Sequence, residues 1–315
     1  MSEILQTAVI GVGYLGRFHA QKYAALPQAN LVAVADPNAE QAARVAEECG
    51  TRAVADYRDI LDEVDAVSVV VPTQQHFAVA RDCLARGIHV LLEKPMTVTV
   101  AEADELIALA KTNGCTLQIG HLERFNAAVQ ALDGVLATPR FIESHRLAAF
   151  NPRGADVNVV LDLMIHDIDI IQTMVRSPLD KIDANGVSVL TSEIDIANAR
   201  LHFANGCVAN VTASRVSMKP QRKMRVFQND AYISIDFQDK ILSVHRKGEK
   251  EIFPGIPEIT SQESLFESTD AIRDEIVAFL AAISNGTPAQ VTGEDGRLAL
   301  ETAIRITELL AETSG

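Results

Sequence analysis

Positive charge is scarce in this 315-residue chain: 28 Lys plus Arg stand against 42 Asp plus Glu, a formal net charge of −14. Such a charge repels phosphate backbones and anionic lipid at long range, so nucleic acid is not expected as a main partner. Long apolar runs are missing as well. No stretch approaches the roughly 18 to 20 apolar residues of a spanning helix, and residues 1–6 lack a basic region leading into an apolar one. No membrane insertion and a cytoplasmic location are expected. Cysteine is sparse: Cys49, Cys83, Cys115 and Cys207 form no CxxC pair and no dense framework, so reduced thiols are expected. What remains is core-forming material, 48% hydrophobic against 22% charged, enough for one large or two ordinary globular domains.

Between residues 7 and 120, short β-branched runs alternate with amphipathic stretches, the rhythm of a parallel sheet covered by helices. Strands are predicted at 7–10, 31–35, 52–54, 66–71, 88–92 and 116–119. The fourth is apolar on both sides of its pleat except at Ser68, which makes it central. After residue 120 the rhythm changes. Helices are predicted at 123–135 and 159–174 around a strand at 141–148, followed by strands at 186–190, 194–203, 207–214, 222–228, 231–237 and 241–245. Asn205-Gly206 predicts a type I′ hairpin turn, and the segment 247–264, with Pro254 and Pro257, predicts a loop. Helices at 270–283 and 294–311 close the chain. The fold class expected is an α/β Rossmann domain (1–120) plus an α+β domain (121–315) with an open, largely antiparallel mixed sheet.

Gly11-Val12-Gly13-Tyr14-Leu15-Gly16 leaves the first strand and opens the first helix, and Asp36 ends the second strand. The first two glycines permit a tight turn and close approach of a pyrophosphate to backbone N–H groups; the third lets helix and strand pack closely. Asp36 can accept hydrogen bonds from ribose hydroxyls and would repel a 2′-phosphate, which favours NAD over NADP. A plain tight turn explains the glycines but not Asp36.

Glu93-Lys94-Pro95 follows the fifth strand at its carboxyl end, the edge where open α/β sheets bind ligands. Lys94 there can stabilise an alkoxide developing beside a nicotinamide; the plainer alternative is a surface ion pair beside a turn proline. Asp162, His166 and Asp169 fall on one stripe of an otherwise apolar helix. A carboxylate one turn from an imidazole can orient it as a general base, while a satisfied core histidine and a shared metal ion are the alternatives. No further well-spaced ligand set accompanies the pair, so no metal is expected.

Taken together, the loop 11–16, Asp36, Glu93-Lys94-Pro95 and the spacing of Asp162 and His166 resemble the glucose-fructose oxidoreductase, inositol dehydrogenase and MocA (Gfo/Idh/MocA) family over essentially the whole chain. The resemblance implies catalytic roles for Lys94, Asp162 and His166, often with a cis Lys94–Pro95 peptide. It implies cofactor contacts from Gly11, Gly13, Tyr14, Leu15, Gly16, Asp36, Pro72, Thr73, His76, Glu93 and Lys94. Residues 120–126, 158–168 and 214–225 are similar to members acting on nucleotide sugars. That likeness implies substrate contacts from Lys94, His121, Arg124, Arg153, His166, Arg215, Arg222 and Lys223, and five basic residues within 215–225 suit a diphosphate. The implied reaction is NAD-dependent oxidation of a ring hydroxyl, of UDP-N-acetylglucosamine at C3, giving a 3-keto sugar for lipid A or another envelope glycan. Alternatives are a dehydrogenase of a free polyol such as inositol and a non-catalytic cofactor-sensing regulator. A homodimer or homotetramer is implied, through the open sheet face.

Overall fold

The computed structural model describes residues 4–151, 157–267 and 270–313. It divides into two compact units, Met1–Leu122 with Asp270–Leu300, and Glu123–Thr269 with Glu301–Gly315. The division differs from a single cut at residue 120, because a late segment returns to the first unit.

The first unit opens with β1 (Leu5–Ile10), α1 (Tyr14–Ala25), β2 (Ala29–Ala35), α2 (Ala39–Cys49), β3 (Arg52–Val54) and β4 (Ala66–Val69). It continues with α3 (Thr73–Leu84), β5 (His89–Glu93), α4 (Val100–Thr112) and β6 (Leu117–Gly120). The six strands are parallel in the order β3-β2-β1-β4-β5-β6, the doubly wound order of a dinucleotide-binding sheet. All four residues of β4 are buried, as a strand covered on both faces requires.

The second unit contains α5 (Ala127–Gln130), β7 (Phe141–Leu147), α6 (Ile165–Val175), β8 (Leu179–Val187), β9 (Ile196–Phe203), β10 (Val208–Ser214), β11 (Gln221–Phe227), β12 (Ala231–Asp236), β13 (Ile241–Phe253) and β14 (Ile256–Leu265). They form one sheet in the order β14-β13-β12-β11-β7-β10-β9-β8, antiparallel except where β7 meets β10. Burial alternates along β7 and β10 because α6 covers one face only. The other face carries an aromatic ladder, Phe141, Phe227, Tyr232 and His245, with ring centroids 5.9, 5.0 and 5.2 Å apart. Two helices end the chain, α7 (Ala271–Asn285) and α8 (Gly293–Thr313), the latter passing from one unit's residues to the other's at residue 300.

Several sequence expectations are corrected. The segment 247–264 is not a loop but the outer part of the β13–β14 hairpin; Gly255 turns it at φ 77° and Pro257 lies in the edge strand β14, where a missing N–H costs no ladder bond. The strand expected at 186–190 is chiefly Leu179–Val187, whose Asp180 and Asp183 disguise it and are tolerated at the sheet's other edge. Residues 123–135 break into a single 3₁₀ turn and the short α5, because Asn126 caps a new start by accepting from the Ala128 N–H at 3.1 Å. At Asn205-Gly206 only the glycine has positive φ, 82°, and Phe203 pairs with Cys207 around a three-residue turn rather than a type I′ pair.

The late segment joins the first unit for an energetic reason. Ile276, Phe279 and Leu280 of α7 pack with Tyr23 of α1, Leu26 just after it, Val9 of β1 and Val34 of β2 in one buried cluster. Phe279→Ala is therefore expected to destabilise this unit by about 3–5 kcal/mol. A urea titration with hydrogen-exchange readout should locate the loss in β1, β2 and α1; a loss confined to the second sheet would contradict the packing.

Candidate active site

The three glycines of the loop 11–16 differ in their surroundings. Gly11 sits at φ 83°, and a side chain there would meet the Val70 carbonyl at 2.7 Å. A Cβ on Gly16 would lie 1.9 Å from the Gly11 carbonyl, so helix and strand touch through this position. At Gly13 the space is open, with nothing within 4 Å. Gly13 also caps α1 without any side chain, and the first turn holds no acidic residue, so the positive helix end is left for an anionic ligand. Tyr14 is two-thirds exposed beside it, its ring edge on Phe18, and Leu15 is half-buried.

Asp36 is held by the loop it faces. Its Oδ2 accepts the Val12 N–H and its Oδ1 the Asn38 N–H, each at 2.9 Å. Gln41 ties the same loop down by donating to the Val12 carbonyl at 2.5 Å. A cleft of about 260 Å³ lies beside this loop, lined by Gly13, Tyr14, Arg17, Phe18, Gln41 and Arg44. The open glycine, the free helix end and the fixed carboxylate fit a dinucleotide.

At the end of β5 the Lys94–Pro95 peptide is cis, and Lys94 is half-buried. His76 braces this corner from α3. Its Nδ1 lies 2.9 Å from the Pro95 carbonyl and its Nε2 2.9 Å from that of Val71, and burial pushes its pKa down. Each ring nitrogen thus faces a backbone carbonyl, and the neutral ring can donate to one of the two, which braces His76 against the corner. Pro72 and Thr73 stand at the start of α3, which like α1 lacks a side-chain cap. Glu93, expected among the cofactor contacts, has its side chain largely buried and 3.4 Å from His19. Its Oε2 accepts the Lys94 N–H at 3.2 Å, and a Cβ on Gly120 would strike its carboxylate at 2.9 Å. Behind it lie the buried side chains of His19 and Glu275, groups for which the sequence carries no signal because α1, β5 and α7 are far apart along the chain. His121, at the exit of β6, is buried.

In the second unit, the predicted helix 159–174 is a π-helical turn, Val160–Met164, running into α6. Asp162 lies in the widened turn and His166 in the first turn of α6, both half-buried. A π turn inside a helix displaces side chains from the regular stripe and is frequent at functional sites. Asn158 supports it, its Oδ1 accepting the Val160 and Leu161 N–H groups at 3.0 and 3.1 Å.

Two buried ion pairs fix the roll of α6. Arg146 of β7 donates through Nε to Asp167 at 2.8 Å and through Nη1 to Glu123 at 2.8 Å. Arg124 grips Asp169 with two bonds, 2.6 and 2.9 Å. Asp169 therefore serves Arg124 instead of the His166 stripe. Arg124 also lines a cavity of about 370 Å³ between α5 and the end of α6. Asp167 and Arg146 escape sequence reasoning because only strand register brings position 146 to the helix.

The basic segment 215–225 does not form one cluster. Arg215 is buried, bonded to the carbonyls of Val157 and Ile194 and 3.6 Å from Asp195, so it is a structural group and not an open phosphate ligand. Strand alternation then parts the others. Arg222 pairs in register with Arg146 on the face that α6 covers, with its guanidinium half exposed and 3.9 Å from Glu123. Lys223 faces the opposite way, on Asp236 at 2.9 Å, and Arg225 likewise on Glu143 at 3.3 Å. Arg153 lies outside the described residues. All four cysteines are free thiols, and no helix among the described residues is long and apolar enough to cross a membrane.

Comparison with known proteins agrees with these parts. Residues 5–121 match the oxidoreductase family with an NAD-binding Rossmann fold, and residues 127–234 match the GFO/IDH/MocA C-terminal domain. UDP-N-acetylglucosamine 3-dehydrogenase of Acidithiobacillus ferrooxidans is 43% identical over 96% of both chains. A solved structure of that enzyme superimposes with a TM-score of 0.93 over 98% of each chain, at 42% identity. Myo-inositol 2-dehydrogenase of Thermotoga maritima is 24% identical over 94% of this chain and 93% of its own.

The glycine geometry yields a paired expectation. Gly13→Ala should leave the urea midpoint unchanged while weakening NAD binding at least tenfold by calorimetry. Gly16→Ala should lower the midpoint itself, since helix and strand must part. Equal effects of the two on stability would contradict the division of roles.

Proposed function

The chain belongs to the Gfo/Idh/MocA oxidoreductase family with an NAD-binding Rossmann domain, and from that membership we propose that it oxidises UDP-N-acetylglucosamine at C3 to the 3-keto sugar, using NAD. The observation that carries the substrate is the near full-length 43% identity to an enzyme of that name; the inositol dehydrogenase is more distant at 24%. Lys94, Asp162 and His166 are the residues proposed to act, on the roles the family resemblance gives them.

When bound, NAD supplies a hydride acceptor at nicotinamide C4. The chain's own groups handle the proton and the oxygen. His166 takes the proton of the sugar hydroxyl as the C3–H bond pair departs, and a ketone remains. Asp162, one turn earlier, orients the imidazole and supports its cationic form. Lys94 donates to the same oxygen and stabilises the charge developing on it. Asp36 selects the cofactor by accepting from ribose hydroxyls and repelling a 2′-phosphate. Arg222, on the face covered by α6, is the basic residue proposed to meet the diphosphate. The half-exposed face with the aromatic ladder is the proposed contact with a second copy in a dimer or tetramer, and the cytoplasm is the proposed compartment. A 3-keto sugar is an electrophile, so the reaction consuming it is of the amine-transferring class.

Lys94→Met and His166→Asn should each lower kcat by about 10²–10⁴-fold while NAD still binds. Turnover of NAD with a panel of UDP-sugars and inositols, with the product position read by NMR, tests the substrate. No NADH formed with any UDP-sugar would defeat the proposal, and NAD binding unaltered in Lys94→Met without turnover in the unsubstituted chain would favour a regulator. Arg222→Glu should raise KM for the nucleotide sugar at least tenfold, and Lys223→Glu should change it little, because the two point to opposite faces. The reverse ranking would remove Arg222 from the site.

A further inference from the structure

One buried polar cluster in the first unit has no part in the chemistry above. Glu275 of α7 has no exposed surface, and neither carboxyl oxygen has a hydrogen-bond partner among the described residues. Its carboxyl group, that of Glu93 and the His19 ring bring polar atoms within 4.8 Å of one another. His19 Nε2 stands 3.4 Å from Glu93 Oε1, while its Nδ1 lies 3.2 Å from the Ser68 hydroxyl, which in turn meets Tyr23 at 3.0 Å. Gln118 of β6 donates to the backbone carbonyl of Glu275 at 3.0 Å, leaving its carboxyl group untouched. The titratable groups facing Glu275 are thus His19 and Tyr23 from α1 and Glu93 from β5; β4 and β6 offer only Ser68 and Gln118.

Two carboxylates at this spacing repel strongly in a dry interior, and a fully desolvated anion without donors is costlier still. One proton removes both penalties. Glu275 is the group to hold it, because Glu93 is partly exposed at the sheet edge and already accepts the Lys94 N–H. We propose that Glu275 is an uncharged carboxylic acid in the working protein and that, facing Glu93, it positions the corner that carries Lys94. A spacing of up to 4.8 Å is closed by a small rotation or by one bridging water. Burial, and then the charge of Glu93, push the Glu275 pKa up, in agreement with this state.

The sign of the linkage follows. An unfolded Glu ionises near pH ~4.3. With the folded pKa raised, the folded chain retains a proton that the unfolded chain loses, so this contribution to stability is full below ~4.3 and is lost as pH rises through the folded value. Glutamine has the size and the donor of the neutral acid and does not titrate.

The test compares the full chain with Glu275→Gln and Glu275→Leu. In urea, Glu275→Gln should unfold at a higher midpoint than the unsubstituted chain at about pH 8, with the gap closing toward about pH 5. A midpoint lower by the same amount at every pH, or one metal ion per purified chain by elemental analysis, overturns the proposal, since an ionised carboxylate or a metal ligand cannot be replaced by an amide. The positioning role is read separately and rests on the dehydrogenase reading above. Glu275→Leu should lower kcat at every pH, and Glu275→Gln should restore it while removing the alkaline loss expected of the unsubstituted chain. An alkaline limb unchanged in Glu275→Gln overturns the positioning role. The urea arm needs no turnover, so an unsuitable substrate and a charged Glu275 give different results.

Discussion

Everything proposed for this protein turns on the exit of β5, where a parallel strand must change direction while keeping a lysine at the ligand-binding edge of the sheet. The backbone there has little freedom. Gly120 of the neighbouring strand leaves no room behind the Glu93 carboxylate, His76 holds the Pro95 carbonyl from α3, and Glu93 accepts the Lys94 N–H. A lysine on a surface loop would lose several rotatable bonds on binding a sugar oxygen; here much of the backbone ordering is completed during folding.

The second unit solves a different problem with the same means. A helix buried on nearly all sides can roll, and one that carries a proposed general base must not. Arg146 and Arg124 clamp Asp167 and Asp169, with both carboxylates almost fully buried. Removing one member would leave its partner charged and dry, a loss of about 3–5 kcal/mol. Such pairs add little net stability over apolar packing, yet they set one orientation of the helix face that carries His166. The widened turn at Val160–Met164, which carries Asp162, leads directly into that face.

Much of the first unit was legible because its signals are local. The alternating runs extend over residues 7–120, the glycine loop and the acid at a strand end fall within the first 36 residues, and the strands and helices they predict are present. The second unit was less legible where charge hides strands: Asp180 and Asp183 at one edge and the polar hairpin beyond Lys247 at the other pass for loop, since edge strands need no continuous apolar face. The candidate site divides likewise. Lys94 and His166 announce themselves by motif, whereas Arg146, His19 and Glu275 gain their importance only from register and from α7 returning to the first unit. The basic segment misleads for a related reason. Proximity along a strand means opposite faces, so Arg222 and Lys223 cannot share a ligand.

Hydride transfer from the sugar ring is the claim on which the assigned roles depend. The most direct measurement uses UDP-N-acetylglucosamine carrying deuterium at C3, with NAD in excess and the products read by NMR. The account predicts deuterium at nicotinamide C4 and a ketone at C3 in equal amounts. Deuterium left on the sugar, or washed into solvent without reduction of NAD, would contradict it.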